Sequence, residues 1–346
     1  MEVDLIFPCK AKNEGKITQE QIRKFYGSKV KNVWFLWQPA RLTVIVENFS
    51  KKVHLKNFAK ELLYICQRPR YQKIFREGDY RFIHLNSVIL YPMLDKRWPM
   101  FLHVRESVCT SLPFCDRAFN RKMNQAHGVF FINPEVKERV HALTSPELML
   151  INPFDQTGVS NVNVQHARAL YELTGKETVY AIIGSIVYFK GVDFVVRAFQ
   201  KAKLKNSTLL IVGNDTQGDS YIQQVRKLVA NDPNIRFTGE IEDTEQIYRT
   251  IDYVVRGDIV TGLGRTVYEA LYSGCGAIIP RDFLTQNVPD ITPDMEERVH
   301  FYSLQDESAL VRVFKDTQCI RFEKRTYHSN VKQYVRKFLE FVQENC

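Results

Sequence analysis

Thr261-Gly262-Leu263-Gly264-Arg265-Thr266-Val267-Tyr268-Glu269-Ala270-Leu271, followed by Tyr272-Ser273-Gly274, is the stretch on which the fold of this chain turns. Two glycines, an arginine and a threonine read as a loop feeding a helix, with Glu269 in the helix's first turns. Gly274 closes that helix, and Cys275 to Ile279 reads as a short buried strand. A loop glycine lets a ligand's phosphates approach the backbone without meeting a Cβ. A helix start offers free N–H groups and a positive dipole end to an anion. Glu269 is placed to accept hydrogen bonds from a sugar diol, as an acidic residue does in dinucleotide folds. The same residues also suit an ordinary turn beside a surface glutamate.

Upstream, strand and helix patterns alternate. Val179 to Ile183 reads as a strand ending in Gly184-Ser185, and Tyr188-Phe189-Lys190-Gly191 leads into a helix over Val192 to Ala202. Ser207 to Val212 is a strand ending in Gly213-Asn214-Asp215, and Ser220 to Ala230 a helix. Ile235 to Gly239 is a strand, Thr244 to Tyr248 starts a helix, and Tyr253 to Val255 is a strand followed by Arg256-Gly257-Asp258. Apolar runs of this length between helical spacings predict a parallel α/β sheet. Ligands bind such sheets at the C-terminal strand edge.

The opening stretch resembles the nucleotide-sugar signature of glycosyltransferase family 4, a retaining GT-B family. In a common branch that signature reads Glu-Gly-Leu-Pro-Arg-x-x-x-Glu-Ala. Gly262, Leu263, Arg265, Glu269 and Ala270 match it, while Gly264 stands for the proline and Thr261 for the first glutamate. A second hallmark, Gly-Arg-x-x-x-x-Lys-Gly, is met by Gly184, Lys190 and Gly191, with Ser185 in place of the arginine. The resemblance implies two Rossmann-like domains facing each other across a cleft. It implies that Glu269 holds the donor ribose and that Lys190, helped by Arg265, meets the diphosphate. Gly213, Thr266 and the loop Gly239, Glu240 and Ile241 join the implied donor site. The implied reaction is retaining, metal-independent transfer of a sugar from a nucleotide-diphosphate sugar to an acceptor hydroxyl, with no cofactor. No Asp-x-Asp pair occurs in the chain to hold a metal. The departures at Thr261 and Ser185 motivate an alternative, a GT-B nucleotide-binding scaffold without turnover.

The first half reads as a domain over residues 1–155 and the second as one over 156–330, with a last helix over Tyr334 to Gln343 crossing back from residue 331. Strands are expected at Asp4 to Phe7, Val33 to Trp37, Leu42 to Val46, Phe82 to Leu85, Met100 to Val104, Val129 to Ile132 and Leu148 to Ile151. Helices are expected at Gln19 to Tyr26, Leu55 to Cys66 and Val164 to Leu173. His103, near the end of its strand, is a candidate catalytic residue. Lys10, Lys12, Arg105 and Glu106 are candidates to hold the acceptor.

The net charge of +9 is unevenly placed. Residues 1–76 hold 16 Lys and Arg against 6 Asp and Glu, so the remainder carries 9 − 10 = −1. That surplus attracts anionic surfaces, and with interleaved aromatics the segment suits a membrane interface or, equally, a core-packed helix with a basic outer face. A lipid-linked acceptor in polysaccharide or lipopolysaccharide assembly follows as the expectation. Nucleic acid is set aside for want of a recognised binding module. No apolar run reaches the ~18 residues a spanning helix needs, and Met1 to Phe7 does not read as a signal peptide. The seven cysteines are odd in number and scattered, which reads as reduced thiols. Together these predict a cytoplasmic protein, peripheral at the inner face of a membrane.

Overall fold

Short apolar runs become strands and longer runs with helical spacing become helices along most of the chain. The computed structural model describes residues 2–8, 18–39, 44–45, 54–106, 109–110, 113–173, 177–214, 220–230, 232–259, 262–282, 286–320 and 325–346. The chain divides into two compact units. One is Met1–Leu150 with Lys337–Cys346, the other Ile151–Arg336.

In the first unit, β1 (Val3–Pro8), α1 (Gln19–Tyr26) and β2 (Val30–Leu36) form a βαβ piece whose strands pair in parallel. β3 (Val44–Ile45) follows, then the 24-residue helix α2 (His54–Glu77). Next come β4 (Ile83–Leu85), β5 (Met100–Val104), β6 (Cys109–Thr110), α3 (Pro113–Met123), β7 (Gly128–Phe131) and β8 (Glu147–Met149). β4, β5, β7 and β8 make a parallel sheet in that order, and β3 pairs antiparallel with β6. β5 and β7 are buried along their whole length, as parallel strands covered on both faces are. Helix α2 was expected to end near Cys66. It runs on through Pro69 because Tyr71 and Phe75 recur one and two turns beyond Gln67 on the face of Tyr64 and are buried with it. Pro69 lies on the exposed face.

In the second unit, α4 (Val164–Ala169) precedes β9 (Thr178–Ile183), α5 (Val192–Ala202), β10 (Ser207–Val212), α6 (Ser220–Val229), β11 (Ile235–Gly239), α7 (Thr244–Thr250) and β12 (Tyr253–Val255). α8 (Arg265–Tyr272), β13 (Gly276–Arg281), β14 (Val299–Ser303), α9 (Glu307–Asp316) and α10 (Val331–Asn345) complete it, α10 ending in the first unit's residues. All six strands are parallel, in the order β11-β10-β9-β12-β13-β14. Counted within the unit this is 3-2-1-4-5-6, the doubly wound Rossmann order. The order reverses between β9 and β12, and the crevice beyond their C-terminal ends is where such sheets bind ligands.

The apolar face of α5 shows why the pattern folds this way. Val192, Phe194, Val195, Val196, Ala198, Phe199 and Ala202 are all buried against Tyr180, Leu209, Ile211 and Phe314. With each buried Val or Phe contributing roughly 1.5–3 kcal/mol, this stripe seats α5 firmly and so fixes the loop before it.

Candidate active site

Gly184 and Ser185 follow β9, and Arg256-Gly257-Asp258 follow β12. These residues, with Lys190, Ile182, Ile183 and Val255, line one pocket at the point where the strand order reverses. Lys190 closes a short 3-10 turn (Tyr188–Lys190). Gly191 then takes a left-handed φ of 57°. A Cβ on Gly191 would lie 1.9 Å from the carbonyl oxygen of Gly257. This contact needs a glycine both for its φ and for its bareness. It draws the loop after β9 against the loop after β12, and Ile259 N–H donates to the Phe189 carbonyl at 3.1 Å beside it.

Lys190 Nζ donates to Asp258 Oδ1 at 2.9 Å, and Arg256 Nε donates to Asp258 Oδ2 at 2.5 Å. Asp258 and Arg256 are nearly buried and Lys190 is about one-third exposed. Burial would raise the Asp258 carboxyl, but Arg256 and then Lys190 outweigh it and hold the group below its ordinary value. Burial, and then the nearby Arg256, lower the Lys190 ammonium against the pull of Asp258. Two cations share one carboxylate, so the cluster keeps one net positive charge.

The glycine loop reaches the same cluster from the other side. A Cβ on Gly264 would sit 2.0 Å from Arg256 Nη1. Leu263 anchors the loop by packing with Val267, Tyr268, Leu271 and Tyr272. From α8, Glu269 Oε1 accepts from Arg265 Nη2 at 3.1 Å and Oε2 from the Tyr248 hydroxyl at 2.8 Å. Burial, and then the Glu269 charge, push the Tyr248 phenol well above its ordinary value. Arg265 is exposed. Thr266 Oγ1 is buried without a partner among the described residues.

Of the other residues expected at the donor site, Gly213 directly follows β10 and its N–H donates to the Gly239 carbonyl at 3.0 Å. Glu240 Oε2 accepts from Asn214 Nδ2 at 3.2 Å, and Ile241 packs against the core beneath α7. Gly184, Gly239 and Gly262 face open space. Thr261 lies outside the described residues, as do Lys10 and Lys12. The sequence reading missed Arg256 and Asp258. Their only signal was a charged pair straddling a glycine directly after a fully apolar strand.

In the first unit, His103 was expected to act on substrate, but it has no exposed surface. It is buried beside His84 and Phe130. Burial, then Arg105 and His84, push its pKa down to about 2. Glu106, expected at the acceptor, accepts from the Ser87 hydroxyl at 2.6 Å and from the Val88 N–H at 3.1 Å, holding the turn after β4. Arg105 Nη2 lies 3.5 Å from His103 Nδ1.

Residues 177–314 match the family model described as Glycosyl transferases group 1. The chain matches no curated protein by sequence. Among solved structures, a glycosyltransferase from Rickettsia africae superposes with a TM-score of 0.69 at 12% identity, covering 99% of this chain and 98% of its own. Anabaena HepE, solved with UDP and glucose, gives 0.64 at 13% identity with 99% of each chain covered. Sucrose-phosphate synthase from Thermosynechococcus elongatus gives 0.62 at 16% identity, covering 100% of this chain and 94% of its own. The shared fold is GT-B, built of two Rossmann-like domains.

Proposed function

We propose that this glycosyltransferase family 4-like chain transfers a sugar from a nucleoside-diphosphate sugar to an acceptor hydroxyl, with retention of anomeric configuration. The observation that supports this most is the cationic pocket at the switch point of a sheet in Rossmann order, with the carboxylate of Glu269 on the adjoining helix. As the glycosidic bond breaks, the leaving diphosphate gains negative charge. A fixed, part-buried cation stabilises that change more than a solvated one does. Lys190 supplies it here, and the side-chain cations take the charge role without a metal. Glu269 has about four acceptor positions and uses two on Arg265 and Tyr248, so two remain for the ribose hydroxyls. The first unit, with its basic surplus, holds the acceptor, a lipid-linked glycan at an anionic membrane surface.

A panel of UDP, GDP, ADP, CDP and TDP sugars tests this reading. UDP-glucose comes first, because HepE was also solved with that compound. The expected result is nucleotide release with one sugar, accelerated by a glycan acceptor, and NMR of the product showing the donor's anomeric configuration. Tight nucleotide binding with no release across the panel favours a GT-B scaffold without turnover. Inverted product rejects the retaining assignment alone.

A further inference from the structure

We propose that Arg256 is the second cation of the diphosphate site, seated there by Gly264 and braced by Asp258. The inference rests on the nucleoside-diphosphate reading above. It concerns which residue joins Lys190 in meeting the phosphates.

Arg265 is the cation nearest in sequence to the glycine loop, but its side chain is 69% exposed and turns back onto Glu269. The Arg256 side chain is 10% exposed and lines the pocket with Ser185 and Lys190. An arginine in such surroundings acts on a nearby charge more strongly than a solvated one, because the effective dielectric is lower. Its planar fork also matches phosphate geometry with two parallel donors, which a point charge does not.

Two features keep the guanidinium there. Asp258 accepts from Nε of Arg256 and from Nζ of Lys190 with separate oxygens, so one carboxylate holds two mutually repelling cations side by side. Gly264 leaves a space that a Cβ would fill, only 2.0 Å from Nη1. A Cβ at 264, proline's included, would meet the guanidinium, so the Arg256 side chain or the loop would have to shift. Gly264 and the Arg256-Gly257-Asp258 run are therefore one device, although five residues lie between Asp258 and Gly264. Ser185, short and neutral, lines the same pocket beside the two cations.

The test compares a nucleoside with its diphosphate. Wild-type protein is first titrated with UDP, GDP, ADP, CDP and TDP, and the tightest binder and its parent nucleoside are carried forward by NMR titration. Arg256→Gln is expected to weaken the diphosphate at least tenfold while the nucleoside changes less than twofold, so the ratio of the two affinities collapses. Arg265→Gln is expected to leave that ratio within threefold of wild type. A general packing defect moves both ligands together and leaves the ratio intact. A wild-type ratio in Arg256→Gln, or a collapse confined to Arg265→Gln, overturns the inference. If Arg256→Gln does not fold, Arg256→Lys decides. The lost fork is expected to lower the ratio at least threefold, and an unchanged ratio overturns the proposal. Wild-type protein that binds no diphosphate rejects the functional reading itself, a different outcome from either variant result.

Discussion

Glu269 is held on both oxygens before any ligand arrives, by the Tyr248 hydroxyl and by Arg265. That fixes its rotamer, so little ordering remains to oppose ribose binding. Glu269→Ala is expected to weaken nucleotide-sugar binding by about 1.5–3 kcal/mol, the range for a hydrogen bond to a charged group. Calorimetry checks it, and an unchanged Kd removes Glu269 from the ribose role. Asp258 carries a second prediction. Its carboxyl titrates below its ordinary value in the folded protein. Its stabilising contribution is therefore complete above the unfolded carboxylate pKa of about 3.9, and it is lost as pH falls through the lower folded value. Asp258→Asn leaves two part-buried cations without a partner, which costs about 3 kcal/mol. Urea unfolding of the variant should show that loss at neutral pH and a shallower decline on acidification. Equal acid limbs in the two proteins would contradict the assignment. Glu269 was legible in the sequence because a glycine loop and a helix start lie beside it. The Lys190–Asp258 contact was not, because 68 residues separate the partners and only the sheet order brings them together.

At the scale of elements, the second unit was legible almost throughout. α5, β10, β11 and β12 have the bounds the apolar spacing predicts, since each has an unbroken apolar run or stripe and turn residues at its ends. β14 and α9 went unread. Val299–Ser303 mixes His300 and Ser303 into a strand that is only half buried, which blurs its pattern. Helix α2 was cut short because proline in a helix interior removes a hydrogen bond and crowds the preceding turn. Here burial of Tyr64, Tyr71 and Phe75 on one face outweighs that cost. Pro69→Ala should then stabilise the first unit. Restoring the helical bond gains up to about 3 kcal/mol, and the freer unfolded chain takes back about 1 kcal/mol. The net is a gain on the order of 2 kcal/mol. A raised melting temperature checks it, and a fall would mean that the proline fixes a bend the packing requires.

For the whole molecule, charge placement was plain in the sequence, whereas strand order, which depends on pairing between distant segments, was not. The surplus of positive charge lies in the first 76 residues, and part of it lies along α2. Tyr64, Tyr71 and Phe75 face the core, while Leu62, Leu63 and Ile65 are 48%, 42% and 49% exposed on the rest of the helix. Lys60, Arg68, Arg70, Lys73 and Arg76 are exposed with them. Exposed leucine and isoleucine among exposed cations match an anionic lipid surface, which takes apolar side chains into its interface and draws in Lys and Arg. Among the described residues no helix is long and apolar enough to cross a membrane, so surface association is the mode to test. The protein is expected to co-sediment with phosphatidylserine-rich vesicles and not with neutral ones. Each basic residue near the surface contributes about 1 kcal/mol. Arg70→Gln with Arg76→Gln should therefore cost about 2 kcal/mol, close to thirtyfold in apparent affinity. Added salt should weaken wild-type binding by screening the same attraction, whereas Leu62→Ser with Ile65→Ser should lower the part that persists in high salt. Equal binding to neutral vesicles, or none to either kind, would leave α2's outer face without a lipid partner and the acceptor without a membrane.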